Sequence, residues 1–213
     1  KIIFSGVGKS RAEMAQAIEI GIGQFNVESV AELTILNEEA KKLNKVAPIG
    51  IRVNPDIAAG THEKISTGRK TDKFGVAWEE ILPAFNKAAS LPNLEVRGVA
   101  CHIGSQLTSL EPFKAATLKV VELVKTLRAN DIAIQTLDLG GGLGIPYEKE
   151  APPSPTEYAK AIEEITNPLD IQLIFEPGRL IAGNAGILVS RVVNVKQSSG
   201  RTFLIIDAAM NDL

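Results

Sequence analysis

Short apolar runs recur six times along the chain, and the stretches between them are amphipathic. Alternation of this kind predicts consecutive βα units on a parallel sheet. The six predicted strands lie at residues 2–4, 25–27, 49–53, 96–100, 136–139 and 173–175. Polar or glycine residues follow nearly every run at once, whereas a doubly wound sheet concentrates them at one switch point. The pattern therefore favours an α/β fold of the (β/α)8 barrel type, with a ring of loops at one end.

A barrel of this type closes with eight strands, and six runs can be counted here. We therefore expect an incomplete barrel domain over residues 1–186, with about two βα units missing from its N-terminal side. Residues 187–196 are rich in β-branched side chains, and 198–200 predict a turn before the apolar run at 203–206. Residues 187–213 are accordingly predicted to be the opening strands of a truncated antiparallel β domain. Without an initiator methionine, and with an abrupt end, the chain reads as an internal fragment.

The composition argues against several classes of partner. The 23 basic and 25 acidic side chains leave a net charge of −2, which provides no field for gathering nucleic acid or an anionic membrane. The longest apolar runs are far shorter than a bilayer span. With one cysteine, Cys101, no internal disulfide can form, and the N-terminus has no secretory signal pattern, so a cytoplasmic location is expected. No metal site is predicted.

Two motifs at the ends of the fifth and sixth runs carry the strongest chemical signal. The sequence Asp-Leu-Gly-Gly-Gly-Leu-Gly at 138–144 places four glycines in five positions directly after an apolar run. Bare backbone N–H groups in such a loop can cradle a phosphate, but glycine clusters also serve ordinary strand-to-loop turns, and both interpretations stay open here. Glu176 and Arg179 follow the next run, so a carboxylate and a guanidinium are expected at the barrel mouth.

Eight stretches, in the same order over essentially the whole chain, resemble diaminopimelate decarboxylases. They are residues 26–29, 52–55, 65–68, 73–75, 102–106, 140–144, 176–179 and 207–213. This family belongs to the alanine-racemase-like, fold type III group of pyridoxal-phosphate enzymes. The resemblance implies an eight-stranded barrel followed by a β domain, pyridoxal 5'-phosphate as cofactor, and a homodimer. The stretches 102–106 and 140–144 are shared with ornithine and arginine decarboxylases, whereas 65–68 and 207–213 favour the diaminopimelate branch.

The resemblance implies a direct role toward the cofactor for two residues. Glu176 would keep the pyridine nitrogen protonated, so that the ring accepts the electron pair left when CO2 departs. Its alternative is a surface ion pair with Arg179, which is less favoured because a residue just after Phe175 at a barrel mouth is expected to be covered. His102 would lie against the cofactor ring, and its alternative is a histidine that only caps the core.

The same resemblance implies binding groups for two anions. The cofactor phosphate would be bound by the backbone N–H groups of Gly140, Gly141, Gly142 and Gly178 and by the hydroxyl of Ser105. Ser105 could otherwise be an ordinary turn residue. Arg179 has a planar fork that fits either the phosphate or a substrate carboxylate, and the family implies the carboxylate.

The remaining polar residues of the quoted stretches are weaker candidates. Asn54 could simply end a strand before a proline, and Ser66 and Lys73 could decorate a loop. His62 and Cys101 are interpreted as structural, since a cysteine within an apolar strand usually behaves as a small hydrophobic residue.

The reaction implied by the resemblance is decarboxylation of meso-diaminopimelate at its D-configured centre, giving L-lysine and CO2 as the last step of lysine biosynthesis. The family's cofactor-binding lysine lies in an Ala-Val-Lys-Ala-Asn-like stretch that has no match here, and its catalytic cysteine and substrate-binding tyrosine would lie beyond residue 213. We therefore expect a carboxy-lyase as the full-length protein and an inactive fragment. The alternatives are a related decarboxylase of arginine, ornithine or a carboxylated polyamine, a non-catalytic cofactor-binding barrel, and a phosphate-binding barrel enzyme without pyridoxal.

Overall fold

The computed structural model describes residues 2–57 and 73–212 of the chain. Up to Ile174 a parallel strand alternates with helix, as the spacing of apolar runs predicts. In chain order the elements are β1 (Ile3–Phe4), α1 (Arg11–Ile20), β2 (Gln24–Val27), α2 (Val30–Lys42), β3 (Ala47–Arg52), a 3-10 turn (Trp78–Glu80), α3 (Ile81–Ala89), β4 (Leu94–Ala100), α4 (Glu111–Ala129), β5 (Thr136–Asp138), α5 (Pro155–Thr166), a 3-10 turn (Asn167–Leu169), β6 (Gln172–Ile174) and α6 (Arg179–Ala182).

The sheet order is β1-β2-β3-β4-β5-β6, with every pair parallel, so each strand pairs with the next one along the chain. A doubly wound sheet would reverse direction once, and this one does not. The order by itself fits a barrel in which each crossover helix lies outside its strands.

Hydrogen bonds between distant strands show that the sheet is curled. Asn26 of β2 bonds Asp138 of β5 at 2.8 Å, and Ser5, just after β1, bonds Glu176, just after β6, at 2.8 Å. In a flat sheet, strands three positions apart would be separated by about 14 Å. The six strands therefore curve around a common interior, and the predicted incomplete barrel of about six strands is confirmed.

Alternation along β2 separates two environments. Phe25 and Val27 belong to the apolar core, whereas Gln24 and Asn26, also buried, point to the opposite face and bond one another. The core fills the layer between the strands and the helices. The predicted apolar stripe of α4 lies in it, with Val120, Val121, Val124 and Leu127 all buried. Polar side chains are thus collected inside the curled sheet.

The chain divides into two compact units, one up to Leu180 and the other from Ile181 onward. The second unit contains an antiparallel hairpin of β7 (Val192–Ser198) and β8 (Arg201–Ile206). Ser199 and Gly200 both have positive φ, as a two-residue type I′ turn requires. The predicted start of an antiparallel β domain is confirmed, and the predicted domain boundary after residue 186 stays a prediction. Within the described ranges, no helix is long and apolar enough to cross a bilayer.

Candidate functional site

Three loops meet at the carboxyl ends of β4, β5 and β6. Backbone pairing continues past the strand ends, because Cys101 N–H donates to the Asp138 carbonyl at 2.8 Å and Glu176 N–H donates to the Gly140 carbonyl at 2.8 Å. His102, the glycine motif and Glu176 are therefore neighbours. The structure brings together side chains that lie more than 70 positions apart in the sequence.

The glycines of the motif are required by close approach of neighbouring backbone. Gly140 and Gly142 have φ of +67° and +104°, in the left-handed region that favours glycine. A Cβ on Gly141 would collide with the carbonyl oxygen of Glu176, and one on Gly142 with the carbonyl oxygen of Gly104. These contacts support the strand-to-loop interpretation whether or not the loop also binds a phosphate.

Of the four N–H groups predicted to bind the phosphate, those of Gly140 and Gly141 are directed at side chains of this chain. Gly140 N–H donates to Asp138 Oδ1 at 2.9 Å, and Gly141 N–H donates to His102 Nδ1 at 3.2 Å. For Gly142 N–H, no acceptor lies within the part of the chain that the structure describes. Of these three donors, Gly142 is the one still available to a ligand.

The loop after β4 is also hydrogen-bonded to the later part of the glycine loop. Leu107 N–H donates to the Gly142 carbonyl and Gly144 N–H donates to the Leu107 carbonyl, each at 2.9 Å. The Gln106 side chain bonds both backbone groups of Ile145, at 2.6 and 3.1 Å. Ser105 lies half-buried at this junction, next to the glycine loop.

His102 is held as a neutral imidazole. Its Nδ1 accepts the Gly141 N–H, which assigns the ring proton to Nε2. Burial, and then the positive charge of Arg52, lower the pKa of His102, while Glu176 and Glu28 act in the opposite direction. The ring orientation is therefore fixed by the glycine loop.

Glu176 is exposed, in contrast to the expectation that it would be covered. The reason is topological, since β6 is the last strand in the sheet order and has a strand on one side only. The alternative ion pair with Arg179 does not form either. Arg179 donates to the Tyr147 hydroxyl at 2.9 Å, and among the described residues no carboxylate pairs with its guanidinium.

A cavity of about 230 Å³ opens beside the glycine loop. Gly178 lies on its wall, and a Cβ at this position would meet nothing within 4 Å. The other walls are mostly apolar and include Leu143, Tyr158, Phe175 and Leu180.

Sequence reasoning missed the partners of Glu176. Ser5 donates to Glu176 Oε1 at 2.8 Å, and Asn26 Nδ2 bonds both Ser5 Oγ and Asp138 Oδ2, at 3.0 and 2.8 Å. Asp138 is 1% exposed, and burial, followed by the charge of Glu176, raises its pKa to about 6. The sequence did contain a signal for these contacts. Asp138 and Asn26 are polar residues in otherwise apolar strands, and a polar side chain buried there needs a hydrogen-bond partner.

The weaker candidates have structural explanations where they are described. Asn54 accepts the Asp56 N–H at 3.0 Å, and Lys73 lies 5.1 Å above the Phe74 ring. Burial raises the pKa of Cys101 to about 12. Because the thiolate is the reactive form, this agrees with a structural role for Cys101. Ser66, His62 and the 65–68 stretch lie outside the described residues. In 2–57 and 73–212, no three His, Cys, Asp or Glu side chains group as metal ligands do.

Two kinds of comparison agree with this geometry. Residues 1–183 match the family model described as "Pyridoxal-dependent decarboxylase, pyridoxal binding domain". Over the whole chain, the sequence is 49% identical to diaminopimelate decarboxylase of Zymomonas mobilis and 51% identical to that of Vibrio cholerae, covering 51% of each relative. The chain thus spans about half the length of the curated relatives it matches.

A solved structure extends the agreement to three dimensions. The crystal structure of Helicobacter pylori diaminopimelate decarboxylase complexed with L-lysine superposes with a TM-score of 0.90 at 43% identity, over 99% of this chain and 53% of that one. The resemblance inferred from the sequence motifs is therefore confirmed. With a family model that covers most of its length and a half-barrel that carries the matching loops, this chain belongs to the pyridoxal-dependent decarboxylases, in their pyridoxal binding domain.

Proposed function

We propose that the protein binds pyridoxal 5'-phosphate at the junction of the loops after β4, β5 and β6, and that it decarboxylates meso-diaminopimelate to L-lysine and CO2 as the last step of lysine biosynthesis. The observation that carries the proposal is the meeting of Glu176, His102 and the glycine loop at one place. The names of the relatives favour diaminopimelate over other amino acids.

The residues present fit the cofactor. Glu176 offers an accessible carboxylate whose Oε1 is held by Ser5. Gly142 offers an N–H without an acceptor in the described residues, and Gly178 offers open space on the wall of the adjoining cavity. A phosphate dianion requires several fixed donors of this kind. When bound, the cofactor supplies the electron sink for the decarboxylation.

Each residue then has a defined task. Glu176 would accept a hydrogen bond from the protonated ring nitrogen and hold that proton in place. His102 would pack against the ring as a neutral imidazole, because its Nδ1 is already engaged by Gly141. Ser105 would add a hydroxyl to the phosphate, and Arg179, which the chain leaves exposed, would bind a substrate carboxylate.

We further infer a homodimer in the cytoplasm. The homodimer rests on the family resemblance. The compartment rests on Cys101, a buried free thiol in a chain with one cysteine, because proteins of reducing compartments keep their thiols unpaired.

The test uses the complete polypeptide that the gene encodes, with pyridoxal 5'-phosphate added. We expect CO2 and L-lysine from meso-diaminopimelate, with kcat/KM at least about 100-fold above that for arginine, ornithine or a carboxylated polyamine. Glu176→Gln should retain the bound cofactor and lose most of kcat, because a neutral amide does not hold the ring nitrogen protonated. Preference for one of the other substrates, or the lack of visible absorbance from bound cofactor, would overturn the proposal.

A further inference from the structure

A chain of hydrogen bonds crosses the interior of the curled sheet and ends at two carboxylates. Thr136 donates to Gln24 Oε1 at 2.8 Å, and Gln24 Nε2 donates to Asn26 Oδ1 at 2.8 Å. The Asn26 amide then donates to Asp138 at 2.8 Å and to Ser5 at 3.0 Å, and Ser5 donates to Glu176 at 2.8 Å. Gln24, Asn26 and Asp138 are each at most 2% exposed. Burying so many polar groups is costly unless each one is satisfied.

Two glycines in strands make room for this series of hydrogen-bonded side chains. Gly50 of β3 and Gly98 of β4 lie on the strands between β2 and β5. A Cβ on Gly50 would crowd the Gln24 amide, and one on Gly98 would collide with the Thr136 hydroxyl. Because these positions lack side chains, Gln24 and Thr136 can meet across two intervening strands.

In this series, the donor and acceptor of each hydrogen bond are determined by the hydrogen bond before it. Thr136 occupies the carbonyl oxygen of Gln24, so the amide nitrogen of Gln24 faces Asn26. Asn26 must then present both of its N–H groups, one to Asp138 and one to Ser5. All the hydrogens therefore point toward the carboxylate end, where Asp138 and Glu176 are the terminal acceptors.

These two carboxylates are neighbours, because the Asn26 amide reaches Asp138 directly and Glu176 through the Ser5 hydroxyl. Gly140 joins them, donating its N–H to Asp138 and accepting the Glu176 N–H. Two carboxylates at such close range repel each other when both are ionised, so the pair holds a proton to higher pH than an isolated carboxylate would. Asp138, the more buried of the two, is the natural holder.

Several other charged or titratable groups lie around Asp138. Cys101 and Tyr158 stay neutral, since burial raises the pKa of both. Arg52 is paired with Glu28 at 2.8 Å. His102, whose pKa is lowered, takes up its proton at more acidic pH.

We propose that Asp138 and Glu176 form a carboxylate pair that shares one proton, in which Asp138 is a positioning residue that holds Glu176 in the orientation required by the cofactor ring nitrogen. The proton moves between carboxylate oxygens and no covalent bond is otherwise made or broken. The part of this inference that concerns the ring nitrogen rests on the proposed function. The shared proton does not, because it belongs to the cofactor-free chain.

The first test is infrared difference spectroscopy between pH 5 and pH 8 on the complete polypeptide without cofactor. A protonated carboxyl has a carbonyl stretch that an ionised carboxylate lacks. We expect the wild type to lose one such band with a midpoint near pH 6, and Asp138→Asn to lack that band. The exposed Glu164→Gln variant is the matched control and should keep it. An unchanged band in Asp138→Asn, or no band in the wild type, would overturn the inference.

The second test measures binding of pyridoxal 5'-phosphate. Asparagine keeps an acceptor for the Gly140 N–H but places its NH2 group against the Asn26 amide, which also donates, so Asp138→Asn should weaken binding by about threefold. Asp138→Ala removes both contacts and should weaken binding by about tenfold or more. Equal affinity in the two variants would contradict the positioning role.

A third variant guards against misfolding of Asp138→Ala. Ser5 lies in a loop, and Ser5→Ala removes the hydroxyl that bonds Glu176. The midpoint of the infrared band should then shift by about half a pH unit or more, because Glu176 is no longer held beside Asp138 by the Ser5 hydroxyl. An unmoved midpoint would show that Glu176 takes no part in the pair. Failure of the proposed function would be seen separately, as a wild type that binds no pyridoxal 5'-phosphate.

Discussion

Asp138 couples the site to the stability of the chain. Its pKa is about 6 when folded, against about 3.9 in an unfolded chain. Between about pH 4 and pH 6 the folded state therefore binds a proton that the unfolded state has released, so the free energy of unfolding falls as the pH rises through this window. By pH 7 the cost of ionising Asp138 in the fold amounts to as much as about 3 kcal/mol.

We expect Asp138→Asn to abolish this decline between pH 4 and pH 6, whatever its effect on stability at a single pH. Urea unfolding of both proteins across that range measures the difference in slope, and Glu164→Gln again provides the control. Parallel pH profiles for wild type and Asp138→Asn would contradict the raised pKa.

Gly141 and Gly178 differ in what surrounds them. A methyl group on Gly141 would collide with the Glu176 carbonyl oxygen, whereas a methyl group on Gly178 would enter open space. We expect Gly141→Ala to lower the free energy of unfolding by about 1–3 kcal/mol and Gly178→Ala to change it by no more than about 0.5 kcal/mol. Denaturant titration of the two variants compares them directly, and equal losses would show that the loop can move aside.

At the scale of elements, a buried ion pair fastens α2 to the loop between β1 and α1. Lys9 donates to Glu32 at 2.7 Å and to the carbonyls of Gly6 and Asn26, also at 2.7 Å, and its side chain is 1% exposed. All three ammonium hydrogens are used. Glu32 in turn accepts the Glu28 N–H at 2.9 Å, so the pair also fixes the end of β2.

Removing one partner of such a pair leaves the other charge buried. We expect Lys9→Met to lower the free energy of unfolding by about 3–5 kcal/mol. Lys114→Met, which breaks the exposed pair with Glu111, should cost less than about 1 kcal/mol. Thermal or urea unfolding distinguishes the two, and a mild effect of Lys9→Met would mean that Glu32 finds another donor.

The order of elements could be predicted from sequence because it depends on local periodicity. Apolar runs and amphipathic stretches gave the six strands and their loops, and the position of Glu176 beside the glycine motif followed from the parallel topology. The contact between Asn26 and Asp138 could not be predicted in this way, since it depends on how strongly the sheet curls. The solvent exposure of Glu176 could not be predicted for a similar reason. Whether a residue at a strand end is buried depends on neighbours that are distant in sequence.

At the scale of the whole molecule, the site is open on the side of β6. Glu176 and Arg179 are exposed, and within the described ranges β6 has one neighbouring strand. Charges in contact with water interact much more weakly than charges in a closed site. The half-barrel therefore leaves the proposed cofactor-binding residues open to solvent.

We therefore expect the isolated 213-residue polypeptide to show no measurable decarboxylation of meso-diaminopimelate, while the complete gene product is active. Assays of CO2 release on equal molar amounts, with pyridoxal 5'-phosphate in excess, make the comparison. Near-native turnover by the isolated polypeptide would show that these six strands suffice.

The space that Gly50 and Gly98 leave inside the curled sheet matters for redesign of related proteins, because filling it would disturb residues far from it. An alanine at position 98 would push Thr136 away from Gln24. The Gln24 amide, whose orientation reaches Glu176 through Asn26 and Ser5, would then be released. A mutational survey limited to positions that contact a ligand would leave this position out. A changed pKa of Asp138 in such a variant would then have no explanation among the positions surveyed.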